Sequence, residues 1–213
     1  MAKAADNRGS GAWGEDVPSR DEQHDIKRRA ILRTAAVLFS EKGFRETSLN
    51  DIASALNVTK PTLYYYVKNK DDILFQCLHT ALEELEVRIL VIDQSNAPGL
   101  EKLRRFVEAF VTLFDGDLGR CVARPGLDPL GDDYRDRIQP FYHRVDARLR
   151  TIITAGIEDG SIAACDPKIA AFTLFGAMNW IIQWFDPALG YSAGEIAAQM
   201  NKLFINGMRG KTL

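Results

Sequence analysis

TSLNDIASALNVTKPTLYYYVKNK, residues 47–70, reads as two short helices joined by a tight turn. Leu49, Ile52, Ala53 and Leu56 recur at offsets of three, four and seven, which gives the first helix one apolar face. Ser48 is placed as its N-cap, and Asp51 three residues later completes a capping-box pattern. Asn57-Val58 ends that helix. Thr59 stands where it would cap the next, with Pro61 in the first turn, where a missing N–H is tolerated. The second helix, expected over about 60–66, has only Leu63 and Val67 to face inward. Consecutive helical positions are about 100° apart, so Tyr64, Tyr65 and Tyr66 cannot all be core residues. With Lys60 and Thr62 they offer a cation, hydroxyls and flat rings, which suit phosphates and base edges in a major groove. Lys68 and Lys70 extend the phosphate-neutralising surface.

Preceded by ILRTAAVLFSEKGF (31–44) and followed by DDIL (71–74), this stretch closely resembles the DNA-binding domain of the tetracycline-repressor (TetR) family of bacterial transcription regulators. The resemblance covers about residues 26–75. It implies that Ser48 and Asn50 meet phosphate or nearby bases. Lys60, Pro61, Thr62, Tyr64, Tyr65 and Tyr66 would form the recognition surface, and Lys70 would hold a phosphate. It also implies a homodimer joined through the last two helices, a palindromic double-stranded operator, and a small lipophilic effector that releases a repressor from it.

Charge is distributed accordingly. Residues 20–70 carry ten Lys/Arg against six Asp/Glu, a net of +4, and residues 71–213 carry fifteen against twenty, a net of −5. The overall −2 therefore conceals a basic end suited to localised nucleic-acid contact. Residues 1–24 are polar and read as a disordered tail with no signal peptide; Lys3, Arg8 and Arg20 could form a minor-groove arm, but interleaved acids favour a plain tail. The longest apolar run, IAAFTLFGAMNWIIQWF (169–185), is short for a membrane span and contains Gly176, Asn179 and Gln183. A cytoplasmic protein with no membrane partner is expected.

Cysteines at 77, 121 and 165 form no close-spaced pair, and His24, His79 and His143 are scattered. Neither a metal site nor a cofactor is expected. Cys77 falls on an apolar helix face with Leu74, Leu78, Ala81 and Leu85, whereas Cys121 lies in an irregular segment where it could line a cavity or sense oxidants. No convergent acid, base and nucleophile set appears, so an enzyme is not expected.

The fold class expected is all-α with about nine helices. A three-helix helix-turn-helix DNA-binding domain at 25–70 precedes a ligand-binding and dimerisation domain at 71–213. The first helix should bury Ile31, Ala35, Leu38 and Phe39 and stop at Gly43 in a left-handed C-cap. Later helices are expected over about 70–92, 98–115, 132–158, 167–185 and 192–208, and residues 116–131 support only a short, broken one. The 167–185 helix is apolar nearly all round, so it needs partners on two sides, a core and a second copy. Phe110, Phe114, Phe141, Tyr142, Phe175, Met178, Trp180 and Trp184 are candidates to line the effector pocket. GAMNWIIQWFDPALGYSAGEIAAQM (176–200) further resembles the fatty-acid and acyl-CoA-responsive regulators of the family, which makes an acyl-CoA a candidate effector. Rival readings are a regulator of drug or lipophile efflux, and an architectural DNA-binding protein without an effector.

Overall fold

The computed structural model describes residues 18–119, 130–185 and 190–208. Among these it is all-helical, with nine α-helical segments: α1 Arg20–Lys42, α2 Leu49–Ala55, α3 Lys60–Tyr64, α4 Lys70–Gln94, α5 Gly99–Val111, α6 Asp132–Glu158, α7 Pro167–Trp184, α8 Ala193–Met200 and α9 Asn206–Met208. A 3₁₀ turn, Thr112–Asp115, continues α5, and a π turn, Asn201–Ile205, joins α8 to α9. Cys121, Lys3, Arg8 and most of the segment expected to hold a broken helix lie outside the described residues.

The N-terminal boundary needs correction. α1 begins at Arg20, so the end of the stretch expected as a tail is helical. Ser19 and Glu22 explain this: the Ser19 N–H donates to the Glu22 carboxylate at 2.7 Å, and the Glu22 N–H donates to the Ser19 hydroxyl at 3.2 Å. This reciprocal pair satisfies two of the free donors at the helix start. At the other end Gly43 has φ 93° and ψ 150°, a positive-φ extended stop instead of the left-handed cap expected.

Two hydrophobic cores form. The first joins Leu32, Phe39, Ile52 and Leu63 of α1–α3 to Ile73, Leu74, Leu78 and Leu82 of α4, and also to Ile138 and Phe141 of α6. The second packs Leu85 and Ile89 of α4 against Phe106 and Phe110 of α5, Leu149 and Ile152 of α6, and residues of α7 and α8. The division expected at residue 70 therefore does not bound the first core, since α4 and α6 each run through both. Glu86–Arg144 and Asp93–Arg148 ion pairs tie these two helices along their length, the second at 2.8 Å.

α5 and α6 meet through glycines. A methyl group on Gly99 would lie 2.2 Å from the Gly156 Cα, and one on Gly156 would lie 2.4 Å from an Ile162 side-chain carbon. The Gly99 N–H also donates to Asp159 at 2.7 Å, which fixes the start of α5 on the end of α6. Because the atoms facing Gly99 are backbone, they cannot rotate aside. Gly99→Ala is therefore expected to destabilise the protein by about 3 kcal/mol, read as a lowered urea midpoint. A variant as stable as the parent would contradict this close crossing.

Candidate nucleic-acid interface

α2 and α3 are held by small polar devices and a few buried anchors. Ser48 and Asp51 form the expected capping box: the Asp51 N–H donates to the Ser48 hydroxyl at 3.2 Å, and the Asp51 carboxylate accepts the Ser48 N–H at 2.8 Å. The Ser48 hydroxyl hydrogen bond, followed by the Ser48 backbone N–H, holds the Asp51 carboxyl below its ordinary value. Asn57 closes the α2–α3 turn in the left-handed region at φ 53°, a conformation Asn tolerates. Thr59 precedes α3 but makes no side-chain cap; its hydroxyl instead pairs with that of Thr62 at 2.9 Å. α3 is also shorter than expected, ending at Tyr64.

Leu63 and Val67 are buried and pin α3 to the first core, as their spacing predicts. Lys60, Pro61, Thr62, Tyr64 and Tyr65 are exposed together on the opposite side, with Tyr65 75% accessible, while Tyr66 is half-buried. Ser48 and Asn50 are exposed at the start of α2. The Lys60 ammonium stands 6.0 Å from the Tyr64 ring centroid, at the limit of a cation–π contact. Behind the tyrosines lies a cleft of about 460 Å³ that also takes in Arg28, Gln76, His79 and Arg137.

Lys70 is arranged differently from the phosphate ligand that the resemblance implies. Its ammonium donates to the carbonyl oxygens of Phe44, Arg45 and Thr47 at 2.7, 3.1 and 3.0 Å, and lies 4.6 Å from the Phe44 ring centroid. Three donors meet three acceptors, so the side chain locks the start of α4 onto the turn between α1 and α2. Asp72 performs a second lock. It is buried, and its carboxylate accepts the Lys68 N–H at 2.9 Å and the Gln76 amide at 3.0 Å. Thr47 adds a hydroxyl bond to the Gly43 carbonyl at 2.8 Å. The partners of Asp72 and the Gly43 carbonyl that Thr47 reaches each lie four residues away in sequence, so these locks are built from local contacts, whereas Lys70 reaches back across the turn after α1.

The proposed effector-lining residues divide. Phe110, Phe114, Phe175 and Met178 come together between α5 and α7, with Phe110 and Phe175 ring centroids 5.8 Å apart. Phe141 belongs instead to the first core, edge-on to His79 at 4.9 Å. Tyr142, Trp180 and Trp184 are exposed. The eight do not form one lining, because α6 turns Phe141 toward the first core and α7 turns its tryptophans away from the second. Cys77 is buried, as its helical face predicts.

A short helix anchored by two apolar residues, presenting cationic and aromatic side chains after a capped partner helix, defines a helix-turn-helix DNA-binding protein. Residues 31–77 match the model of bacterial regulatory proteins of the tetR family, and residues 96–208 match the tetracyclin repressor-like C-terminal domain. The chain belongs to the TetR family of transcriptional regulators. It is 30% identical to the TetR family regulator PfmR from Thermus thermophilus, whose structure it matches with a TM-score of 0.75 over 83% of this chain and 97% of that one. It is 28% identical to AibR, solved with isovaleryl coenzyme A and operator DNA, with a TM-score of 0.71 over 84% of this chain and 98% of that one. The fatty acid metabolism regulator protein of Bacillus subtilis is 24% identical over 193 residues, which are 89% of this chain and all of that protein. No helix among the described residues is long and apolar enough to cross a membrane.

Two measurements check this geometry. Lys70→Met is expected to lower folding stability by about 2 kcal/mol, as hydrogen bonds from a charged donor are lost, with the salt dependence of DNA binding unchanged. Unchanged stability with a salt slope reduced by about one would instead place Lys70 on a phosphate. For Asp51, a lowered folded-state pKa means a contribution fully present above the unfolded value, about 4, and lost as pH falls through the folded one. Melting curves of the parent and Asp51→Asn should therefore differ at pH 6 and converge on acidification; a constant difference would contradict the capping role.

Proposed function

We propose that the protein is a homodimeric, cytoplasmic repressor that leaves a palindromic operator when a small lipophilic effector, such as an acyl-CoA, enters its C-terminal domain. The observation that carries the dimer is one face of α7. Ile169, Phe172, Trp180 and Trp184 are all exposed, Trp180 to 67%, while Ala171, Leu174, Met178 and Ile181 on the other side are buried. Leu203, in the π turn after α8, is 73% exposed. An apolar strip of this kind needs a cover, and a second copy meeting it across a two-fold axis supplies one for both chains. Gly176, with open space around its Cα, leaves room for a partner helix to approach. Two reading heads would then face successive major-groove segments, which requires a palindromic site.

For the effector, support comes from the aromatic cluster of Phe110, Phe114 and Phe175 with Met178, and from AibR with its isovaleryl coenzyme A. An apolar acyl group inserted between α5 and α7 would act on a core that α4 also enters. Moving α4 changes the separation of the heads, and a coupling of about 1–3 kcal/mol suffices to alter operator occupancy.

Trp180→Glu places a charge on the strip and is expected to yield monomers by sedimentation at micromolar concentration. A variant still dimeric would remove this face from the interface. Native mass spectrometry and thermal shift against acyl-CoA thioesters, their free acids and CoA alone test the effector. Stabilisation by thioesters only, accompanied by loss of operator binding, is expected. Stabilisation by unrelated lipophiles alone would favour an efflux regulator. A ligand-saturated dimer that holds operator as tightly as the free one would end the release mechanism.

A further inference from the structure

α1 carries one feature that the core does not require. Ile31, Leu32, Ala35, Ala36 and Phe39 form its buried stripe, and His24 stands one heptad before Ile31 on nearly the same face, beyond the last apolar core residue. The stripe thus continues as an imidazole, and that ring meets the end of the recognition segment. His24 lies 4.7 Å from the Tyr66 ring centroid, with planes inclined by 35°, and 5.6 Å from Tyr65 in an edge arrangement. Tyr65 and Tyr66 are themselves edge-on at 5.1 Å. Three rings from two elements therefore contact one another pairwise. The His24 imidazole has neither a hydrogen-bond nor an ion-pair partner among the described residues, so ring packing sets its position.

We propose that His24 is a positioning residue for sequence readout, fixing the orientation of Tyr65 through the Tyr65–Tyr66–His24 ring cluster. This rests on the reading of α3 and its C-terminal tyrosines as the DNA-contacting surface. Tyr65 is the most exposed of the three tyrosines, and neither α3 nor α4 offers its hydroxyl a hydrogen bond among the described residues. An exposed side chain free to change rotamer loses that freedom on binding, and a neighbour that restricts it beforehand reduces the loss. Edge-to-face packing supplies such a restriction. The benefit should appear in specific binding, where Tyr65 must meet a defined base edge, and not in phosphate-dominated binding to arbitrary sequence. The Ser19–Glu22 capping box gives the device its rigidity, since it holds the helical turn that bears His24.

The test uses a duplex selected by the full-length protein from a randomised library, and a scrambled duplex of equal length and composition. His24→Ala is expected to weaken binding to the selected duplex about fivefold, with scrambled-duplex binding and melting temperature unchanged. His24→Phe, which keeps a ring, should restore most of the loss. In a Tyr65→Ala background, His24→Ala should add almost nothing. Equal weakening on both duplexes, failure of His24→Phe to recover, or a full additional loss in the Tyr65→Ala background would each overturn the proposal. If Tyr65→Ala itself leaves selected binding intact, the assignment of the reading surface fails and the proposal falls with it. If Tyr65→Ala weakens binding and His24→Ala does not, the proposal alone fails.

Discussion

α4 is an unbroken helix of 25 residues, about 37 Å long, that belongs to two hydrophobic cores at once. Its first half packs under the recognition segment and its second half against α5 and α6. Residues 70 and 72 fix the near end through hydrogen bonds to the backbone on either side of the helix-turn-helix. A side chain bonded to three carbonyls cannot let the head swing independently, so any displacement of α4 moves α1, α2 and α3 as a unit. On the proposed release mechanism, this arrangement would couple packing in the C-terminal domain to the orientation of the reading surface. α6 is tied to the same helix by its ion pairs with Glu86 and Asp93, which favour one lengthwise register of the two.

Much of this was legible from residue spacing. The capping box at Ser48, the anchors Leu63 and Val67 and the bounds of α6 all follow from patterns completed within a few residues, where local sterics and hydrogen bonding decide the outcome. The N-terminal limit of α1 is hidden in the sequence although Ser19 and Glu22 stand at capping-box spacing, because the polar composition around them resembles that of a tail. The polar first turns of α1 depend on their cap and on the apolar stripe that follows them.

What could not be read locally depends on how distant elements meet. Phe141 and Phe110 look alike as aromatic residues on amphipathic helices, yet one joins the first core and the other the second. Only the path of α6 across both cores distinguishes them. Lys70 posed the same difficulty: as a cation beside a recognition helix it suggests a phosphate, but the turn after α1 brings three carbonyls within its reach. Trp180 and Trp184 are legible as apolar, but whether they face a core or a second chain depends on the rotation of α7.

The π turn at Asn201–Ile205 governs the phase of the last described helical segment, α9. Asn201 is buried there, with its amide donating to the Arg104 carbonyl at 3.2 Å and its side-chain oxygen lacking a hydrogen-bond partner among the described residues. A wide turn accommodates more chain per revolution than an α-helix. Removal of a single residue from it would rotate everything downstream by about 100°. Leu203 and Ile205, now facing solvent and core respectively, could not both keep their places. A change in length here would therefore turn the described residues that follow to a different side of the molecule, whatever their side chains.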